Sequence, residues 1–555
     1  MKKSTIKVCL LLITAMFSIA SISHAGTTEI VSVDSYGNQG NEVSAMPSIS
    51  ADGRFVAFTS YASNLVPGDT NGIPDVFVHD RQTGVTERVS VDSYGNQAYS
   101  GAYGSFGPSI SADGRFVAFT SHASNLVPGD TNGGPNYFDT TPDIFVHDRQ
   151  TGITERVSVD SSGNQANGGS WSMPSISGDG RYVAFTTWAS NLVPGDTNGL
   201  HDIFVHDRQT GVTERVSVDS SGNQANNFSD WPTISVDGRY VAFTSLASNL
   251  VFDDTNGIVD VFVHDRQTGV TERVSVDSNG NQETVGINWY MYTPVSISNN
   301  GRYVAFTLYA SDAQVSDVFV HDRQTGITER VSVDNYGNQG NALSESPFIS
   351  ADSRYVAFTS LASNLVPGDT NGTWDIFMYD RQTGLTERVS VDSYGNQGDY
   401  GSRCQPSLSG DSKYVAFYSQ ANNLVPGDTN GAYDVFVRDR VGNTIPPDIT
   451  PPTVTVTATP SILWPPNHKM VDVTIDGSAS DDTSGIVFIE ITVTDEYGIY
   501  NMTVPGFGSI IQLEAWREGT DRDGRVYTIT VVATDMAGNK STTTTQVTVP
   551  HDLRK

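Results

Sequence analysis

The residue pattern best suited to chemistry is an oxygen-rich loop, P-G-D-T-N-G-x-x-D, that recurs along the chain. Its first copy offers Asp69, Asn71 and Asp75. Equivalent trios are Asp196, Asn198 and Asp202; Asp254, Asn256 and Asp260; Asp369, Asn371 and Asp375; and Asp428, Asn430 and Asp434. A further copy has Asp130 and Asn132, but ten residues separate Asn132 from Asp143, and the fifth copy lacks the phrase. Oxygen ligands at alternate positions of a glycine turn suit a hard cation, and Ca²⁺ is the cofactor this pattern points to. Three side chains leave half of its shell to carbonyls and water, and no distal bidentate Glu follows as in an EF-hand. The same residues also make a plain Asx turn leading into a strand. Both readings stand on the sequence.

Aromatic residues form the second set. The segments AYSGAYGSFG (98–107), ANGGSWSM (166–173), ANNFSDW (225–231), ETVGINWYMY (283–292) and GDYGSRC (398–404) differ from copy to copy of an otherwise repeated text. They carry Tyr103, Trp171, Trp231, Trp289, Tyr292 and Tyr400. Exposed aromatic rings among polar loops suit a sugar or a peptide side chain. Rings that plug a channel or pack on neighbouring elements are the alternative. The histidines at 79, 147, 206, 264 and 321 share one position, replaced by Tyr379 and Arg438 in the last copies. Residues spaced by a whole structural repeat cannot converge on one ion, so they read as packing. The Asp-Arg of HDRQTG and the Glu-Arg of TERVSVD read as ion pairs within or between repeats. No G-x-S-x-G, H-E-x-x-H, P-loop or Cys–His pair stands out. Arg403, Glu283 and Glu345 are the charged residues that the variable segments offer an enzyme.

These residues must be positioned by the repeat itself, which has a period of about 58 residues and seven copies. Its fullest form is PSISADGRFVAFTS, then SNLVPGDTNG, then DVFVHDRQTG, then VTERVSVD. In the first copy this predicts strands at 46–50, 54–60, 75–80 and 85–92, separated by glycine turns. Phe55-Val56-Ala57-Phe58 is apolar on both faces, as in a strand covered on both sides. A period of this size filled with strands predicts a β-propeller over residues 26–443. The phrases P-S-I-S-x-D-G-R-x-V-A-F and D-V-F-V-x-D-x-x-T-G resemble the TolB-type propeller repeat, a relative of WD-repeat blades. The resemblance implies the fold and no single activity. The extra N-terminal α/β domain of that family's namesake has no counterpart here, so its role in the Tol system is not carried over. The seventh copy ends at Arg438-Asp439-Arg440 without its TERVSVD, while an orphan TEIVSVD (28–34) precedes the first. Pairing the two would complete a closed ring of seven blades and remove an open edge.

Residues 1–25 read as a signal peptide: Lys2, Lys3 and Lys7, an apolar run, then small residues ending at Ala25. Removing its three lysines takes the formal charge from −30 to −33. Such a surface repels nucleic acid and anionic lipid. No later stretch is long enough to span a membrane. Cys404 would then be the lone cysteine, leaving no intramolecular disulfide. A proline-rich linker at 444–452 leads to strand-like runs at 453–459, 470–475, 486–494, 526–534 and 542–549. These predict a β-sandwich over 453–550. The phrases LWPPNHKMV and YTITVVATDMAGNKS resemble bacterial immunoglobulin-like modules of the hyalin-repeat kind, without the cysteines often seen there. The sequence thus predicts an all-β protein, a seven-bladed propeller followed by an immunoglobulin-like sandwich. We expect a monomer, secreted, periplasmic or at the cell surface, that binds a glycan or protein without catalysis. The alternative is a carbohydrate-active lyase or hydrolase using the central pocket.

Overall fold

The computed structural model describes residues 26–99, 103–132, 141–283, 294–309, 315–441, 451–480, 486–535 and 539–552. The expected signal peptide (residues 1–25) and most of the expected linker lie outside them. Among the described residues every regular element is a strand, and the chain divides into units at 1–443 and 444–555.

The first unit holds seven four-stranded antiparallel sheets among its described residues. In sheet 1 the strands are β2 (Ser44–Ile49), β3 (Phe55–Ser60), β4 (Asp75–Asp80) and β5 (Val85–Arg88), preceded by β1 (Thr28–Ile30). Val56, Ala57 and Phe58 are fully buried, as the two-sided apolar pattern requires. Alternate residues serve different neighbours: Val56 and Phe58 pack with the seventh sheet, Ala57 with the second. The expected strand at 85–92 stops at Arg88. Beyond it the Asp92 carboxylate accepts hydrogen bonds from Tyr94 N at 2.8 Å and Asn96 N at 2.9 Å, turning the chain back.

The seventh sheet consists of Ser402–Leu408, Tyr414–Ser419 and Asp434–Asp439, and its fourth strand is β1, with Glu29 opposite Val437. The orphan TEIVSVD therefore pairs where the truncated copy lacks a strand. Arg438, which replaces the repeated histidine, donates to Gly26 O and Asp392 O, each at 3.0 Å, and so grips the chain that arrives. Neighbouring sheets are stapled by one repeated arginine. Arg149 of sheet 2 pairs with Glu87 of sheet 1 and stacks over Phe55, 4.2 Å from its centroid. Arg54 pairs with Asp80 within sheet 1. The histidines are packing residues: His79 Nδ1 lies 2.8 Å from Thr86 Oγ1, and burial lowers its pKa to about 4.

The second unit has a three-stranded sheet (Thr453–Thr459, Met470–Ser480, Ser509–Glu514) and a four-stranded one (Asn501–Val504, Ile486–Asp495, Arg525–Asp535, Lys540–Val549). They share one core, with Val473 and Leu513 from the first against Ile491, Ile529 and Val547 from the second. Arg525 is fully buried in it, paired with Asp495 and 4.6 Å from the centroid of Tyr527.

Candidate functional site

The first strand of each of the seven sheets contributes to the wall of a single cavity of about 130 Å³. Its lining repeats a Pro-Ser pair, as at Pro47-Ser48, Pro108-Ser109 and Pro406-Ser407. The serines tie these strands together. Ser48 Oγ accepts from Ile110 N at 3.1 Å, and Ser407 Oγ accepts from Ile49 N at 3.1 Å. Five of the strands carry a β-bulge just before or at the proline. There Met46, Trp231, Ser346 and Gln405 adopt φ of 57°, 56°, 56° and 34°. A left-handed conformation in a non-glycine residue typically costs about 1–3 kcal/mol. Bulges re-aim side chains, and here they do so around the cavity mouth.

Ser44 pairs with Ser60 and Ser60 with Asp75, so the variable connections and the D-T-N-G loops emerge at one end of the sheets. At that end lies a continuous aromatic ledge. Tyr103 has its ring centroid 4.9 Å from His122 and 6.4 Å from Trp171. Trp171 meets Trp188 at 6.4 Å, Trp188 meets His201 at 5.5 Å, and His201 meets Phe228 at 5.6 Å. Six rings thus run in sequence across sheets 2, 3 and 4. Trp171 and Trp188 are 42% and 43% exposed, so each offers a flat apolar face to solvent. Trp188 can lie flat only because of Gly168, where an added Cβ would sit 2.1 Å from the indole Cδ1.

Of the expected ligand residues, the structure brings Tyr103 and Trp171 together on this ledge. It places Trp231 in the cavity wall. Tyr400 is exposed on the connection to the seventh sheet, far along the ring from the ledge. Trp289 and Tyr292 lie outside the described residues. His122, Trp188 and His201 were not singled out from sequence. Their signal lies in two variable columns: His122 and Trp188 follow FTS and FTT where other copies have Tyr61, Leu246 or Leu361, and His201 precedes DIF where others have Pro74 or Trp374.

The D-T-N-G trios have protein partners. Asn71 Nδ2 donates to Asp75 Oδ2 at 2.8 Å, and Asn71 Oδ1 accepts from Ile73 N at 3.2 Å, which is an Asx turn. Between the two carboxylates stands Arg88, its Nη1 3.4 Å from both Asp69 and Asp75. Arg215 faces Asp196 and Asp202 in the same way, and Arg388 faces Asp369 and Asp375. Arg273 lies 3.9 Å from Asp254, whose sheet also holds Asn256 and Asp260. The last trio differs. The residue equivalent to Arg88 is Ile30, and Gln39 Nε2 donates to Asp428 and Asp434 at 2.7 Å each. Burial pushes the Asp434 carboxyl up to about 6, and Asp428 is raised by the same cause. Among the described residues no group of three or more His, Cys, Asp or Glu side chains could hold a metal ion.

No protein-family model matches the sequence, and no curated protein matches it. Similar solved structures include an oligogalacturonate lyase from Vibrio parahaemolyticus, 13% identical, covering 75% of this chain and 96% of that one at a TM-score of 0.43. The propeller domain of the Trilobed protease from Pyrococcus furiosus is 10% identical over 72% of this chain and 98% of its own, at 0.43. A TolB from Agrobacterium tumefaciens is 17% identical over 52% and 80%, at 0.32. The chain is an all-β protein of four-stranded antiparallel sheets with propeller folds among its structural neighbours.

Proposed function

We propose that this is an exported, closed seven-bladed β-propeller with an immunoglobulin-like module, which binds a glycan without catalysis through its aromatic ledge. The observation that carries the reading is the run of rings from Tyr103 to Phe228, with two half-exposed indoles at its centre. Packing needs no exposed tryptophan, whereas stacked pyranose rings match a row of flat apolar faces. The charge of −33 after export favours a neutral polymer over an anionic one. Calcium belongs to this reading only at Asp428, Asn430 and Asp434, the trio that faces no arginine.

The test is a panel of neutral hexasaccharides of the cello, xylo, manno and malto series, measured by calorimetry. Each indole buried on binding contributes roughly 1.5–3 kcal/mol. Trp171→Ala and Trp188→Ala should each weaken binding at least about tenfold. Gln82→Ala, in the turn at the opposite end of the sheets, should leave it unchanged. Equal affinity in all variants would place the site elsewhere. The alternative is a lyase or hydrolase acting in the central pocket, in the manner of the oligogalacturonate lyases among the neighbours. A cavity of about 130 Å³ falls below the roughly 300–1,000 Å³ of small-molecule pockets. New reducing ends after incubation with the same polymers or with polygalacturonate would establish that alternative.

A further inference from the structure

Across the ring from the ledge, sheets 5, 6 and 7 hold a polar cluster that breaks the repeat. The residue just before the bulge on each innermost strand is Ala45, Phe106, Asp230, Glu345 or Arg403, a different type in each of these copies. Adjacent sheets 6 and 7 thus present an acid and a base at the same level of the mouth. Glu345 is half-buried, and its Oε2 accepts from the Tyr309 hydroxyl at 2.9 Å. Burial pushes its carboxyl up, while the Tyr309 hydrogen bond and the charge of Arg403 pull it down. Arg403 is exposed and has no carboxylate within 4 Å among the described residues.

Two further observations bear on this place. Thr359 is paired with Glu345 across the sheet, Ser346 follows Glu345 in a left-handed bulge, and Thr307 lies two residues before Tyr309. The hydroxyls of Thr307, Ser346 and Thr359 are all buried without a hydrogen-bond partner. In sheet 1 the equivalent of Thr307, Thr59, accepts from Gly107 N at 3.1 Å, whereas Thr186 of sheet 3 is left unpaired like Thr307. Buried polar groups are normally paired, and exceptions concentrate at functional positions. Moreover, the fifth copy lacks the S-N-L-V-P-G-D-T-N-G loop. Eight residues separate Leu308 from Asp317, where fourteen separate the equivalent Ser60 from Asp75.

We propose that Glu345 and Arg403 form a second, polar subsite that grips a vicinal hydroxyl pair of a neutral sugar, with Tyr309 as the residue that positions Glu345. This rests on the glycan reading and extends it from the ledge to the opposite side of the mouth. A carboxylate accepts from one hydroxyl while a guanidinium donates to its neighbour, both as charge-assisted hydrogen bonds. Binding at both places would orient a chain that the flat ledge alone leaves free to slide.

The experiment compares Glu345→Gln, Arg403→Gln and Tyr309→Phe with Trp171→Ala, using the hexasaccharide of the panel that binds most tightly. Glu345→Gln keeps the shape and an acceptor for Tyr309, so thermal melting should match the parent. Its affinity should fall roughly ten- to hundredfold, the range for losing a charged hydrogen bond. Arg403→Gln should fall similarly. Tyr309→Phe should weaken parent binding by less, and should have no further effect once Glu345→Gln is present. Loss in Trp171→Ala with parental affinity in Glu345→Gln and Arg403→Gln would overturn the subsite and leave the ledge standing. Loss in the Glu345 and Arg403 variants with parental affinity in Trp171→Ala would support the subsite and sink the ledge. No heat from any hexasaccharide at millimolar concentration would overturn both.

Discussion

Where β1 completes the seventh sheet no arginine faces the buried acids, and the pH dependence this leaves is isolated by restoring one. In the other sheets an arginine faces the buried acids; at the seam Ile30 stands there, and Asp434 accepts instead from Ser32, Asn430 and the Gln39 amide that also reaches Asp428. Asp434 is fully buried and its carboxyl is held at about 6 against an ordinary 3.8. A raised carboxylate pKa stabilises the fold below 3.8, and that stability is lost as pH rises towards 6. At 1.36 kcal/mol per tenfold change, the loss is about 3 kcal/mol. The buried histidines act in the opposite direction. Their pKa values are lowered, so they lose stability as pH falls below 6.5, and the parent curve alone hides the seam. The informative quantity is the difference from Ile30→Arg, which places a guanidinium beside Asp434 as in the other sheets. Packing lost with Ile30 is independent of pH and only offsets the curves. Asp143 stays at about 6 although Arg156 lies 3.6 Å away, so a guanidinium removes only part of this effect, and between pH 4 and 6.5 the variant should gain less than about 3 kcal/mol relative to the parent. With an unfolding entropy of about 2.1 cal/mol/K per residue over about 400 residues, the upper limit is a Tm difference of about 3.6 °C by scanning calorimetry. Asp434→Asn should remove the same pH-dependent term. Parallel curves for parent and Ile30→Arg would refute the argument.

Further outcomes are expected from the same structure. Deleting residues 27–34 removes β1 and bares the edge of the seventh sheet, so the first unit should melt at a lower temperature; a parental Tm would disprove the closure. Calcium at ten times a Kd of about 10⁻⁴–10⁻³ M should stabilise the parent at pH 7.5 by about 1.4 kcal/mol and leave Ile30→Arg unchanged. A parent insensitive to both Ca²⁺ and chelator leaves the last trio as an Asx turn like the rest. Gly168→Ala should displace Trp188, seen as altered tryptophan fluorescence, and weaken hexasaccharide binding about as much as Trp188→Ala; unchanged fluorescence would count against the close contact at Gly168.

The strands, their order within a sheet and the pairing of TEIVSVD with the last copy were legible because their signals are local. Apolar pairs such as Val56 and Phe58, the glycine turn at Gly53 and a missing TERVSVD can all be read without knowing what lies next to them. In the second unit the strands at 501–504 and 509–514 escaped that reading, because P-G-F-G divides two short runs, the first paired with the strand just before it and the second with the distant strand at 470–480. The candidate site was legible only in part. Tyr103 and Trp171 stand out as aromatics in a divergent segment, but His122, Trp188 and His201 are single changes within constant text. Only the side-by-side packing of sheets 2, 3 and 4 turns those changes into neighbours. The acid trios show the same limit. Asp69, Asn71 and Asp75 read as cation ligands from their own spacing, while Arg88, which stands between the two acids, arrives from the outer strand of the same sheet. Local periodicity fixes backbone hydrogen bonding, whereas the charge and the ring that meet a given side chain depend on strands and sheets brought together by the closed fold.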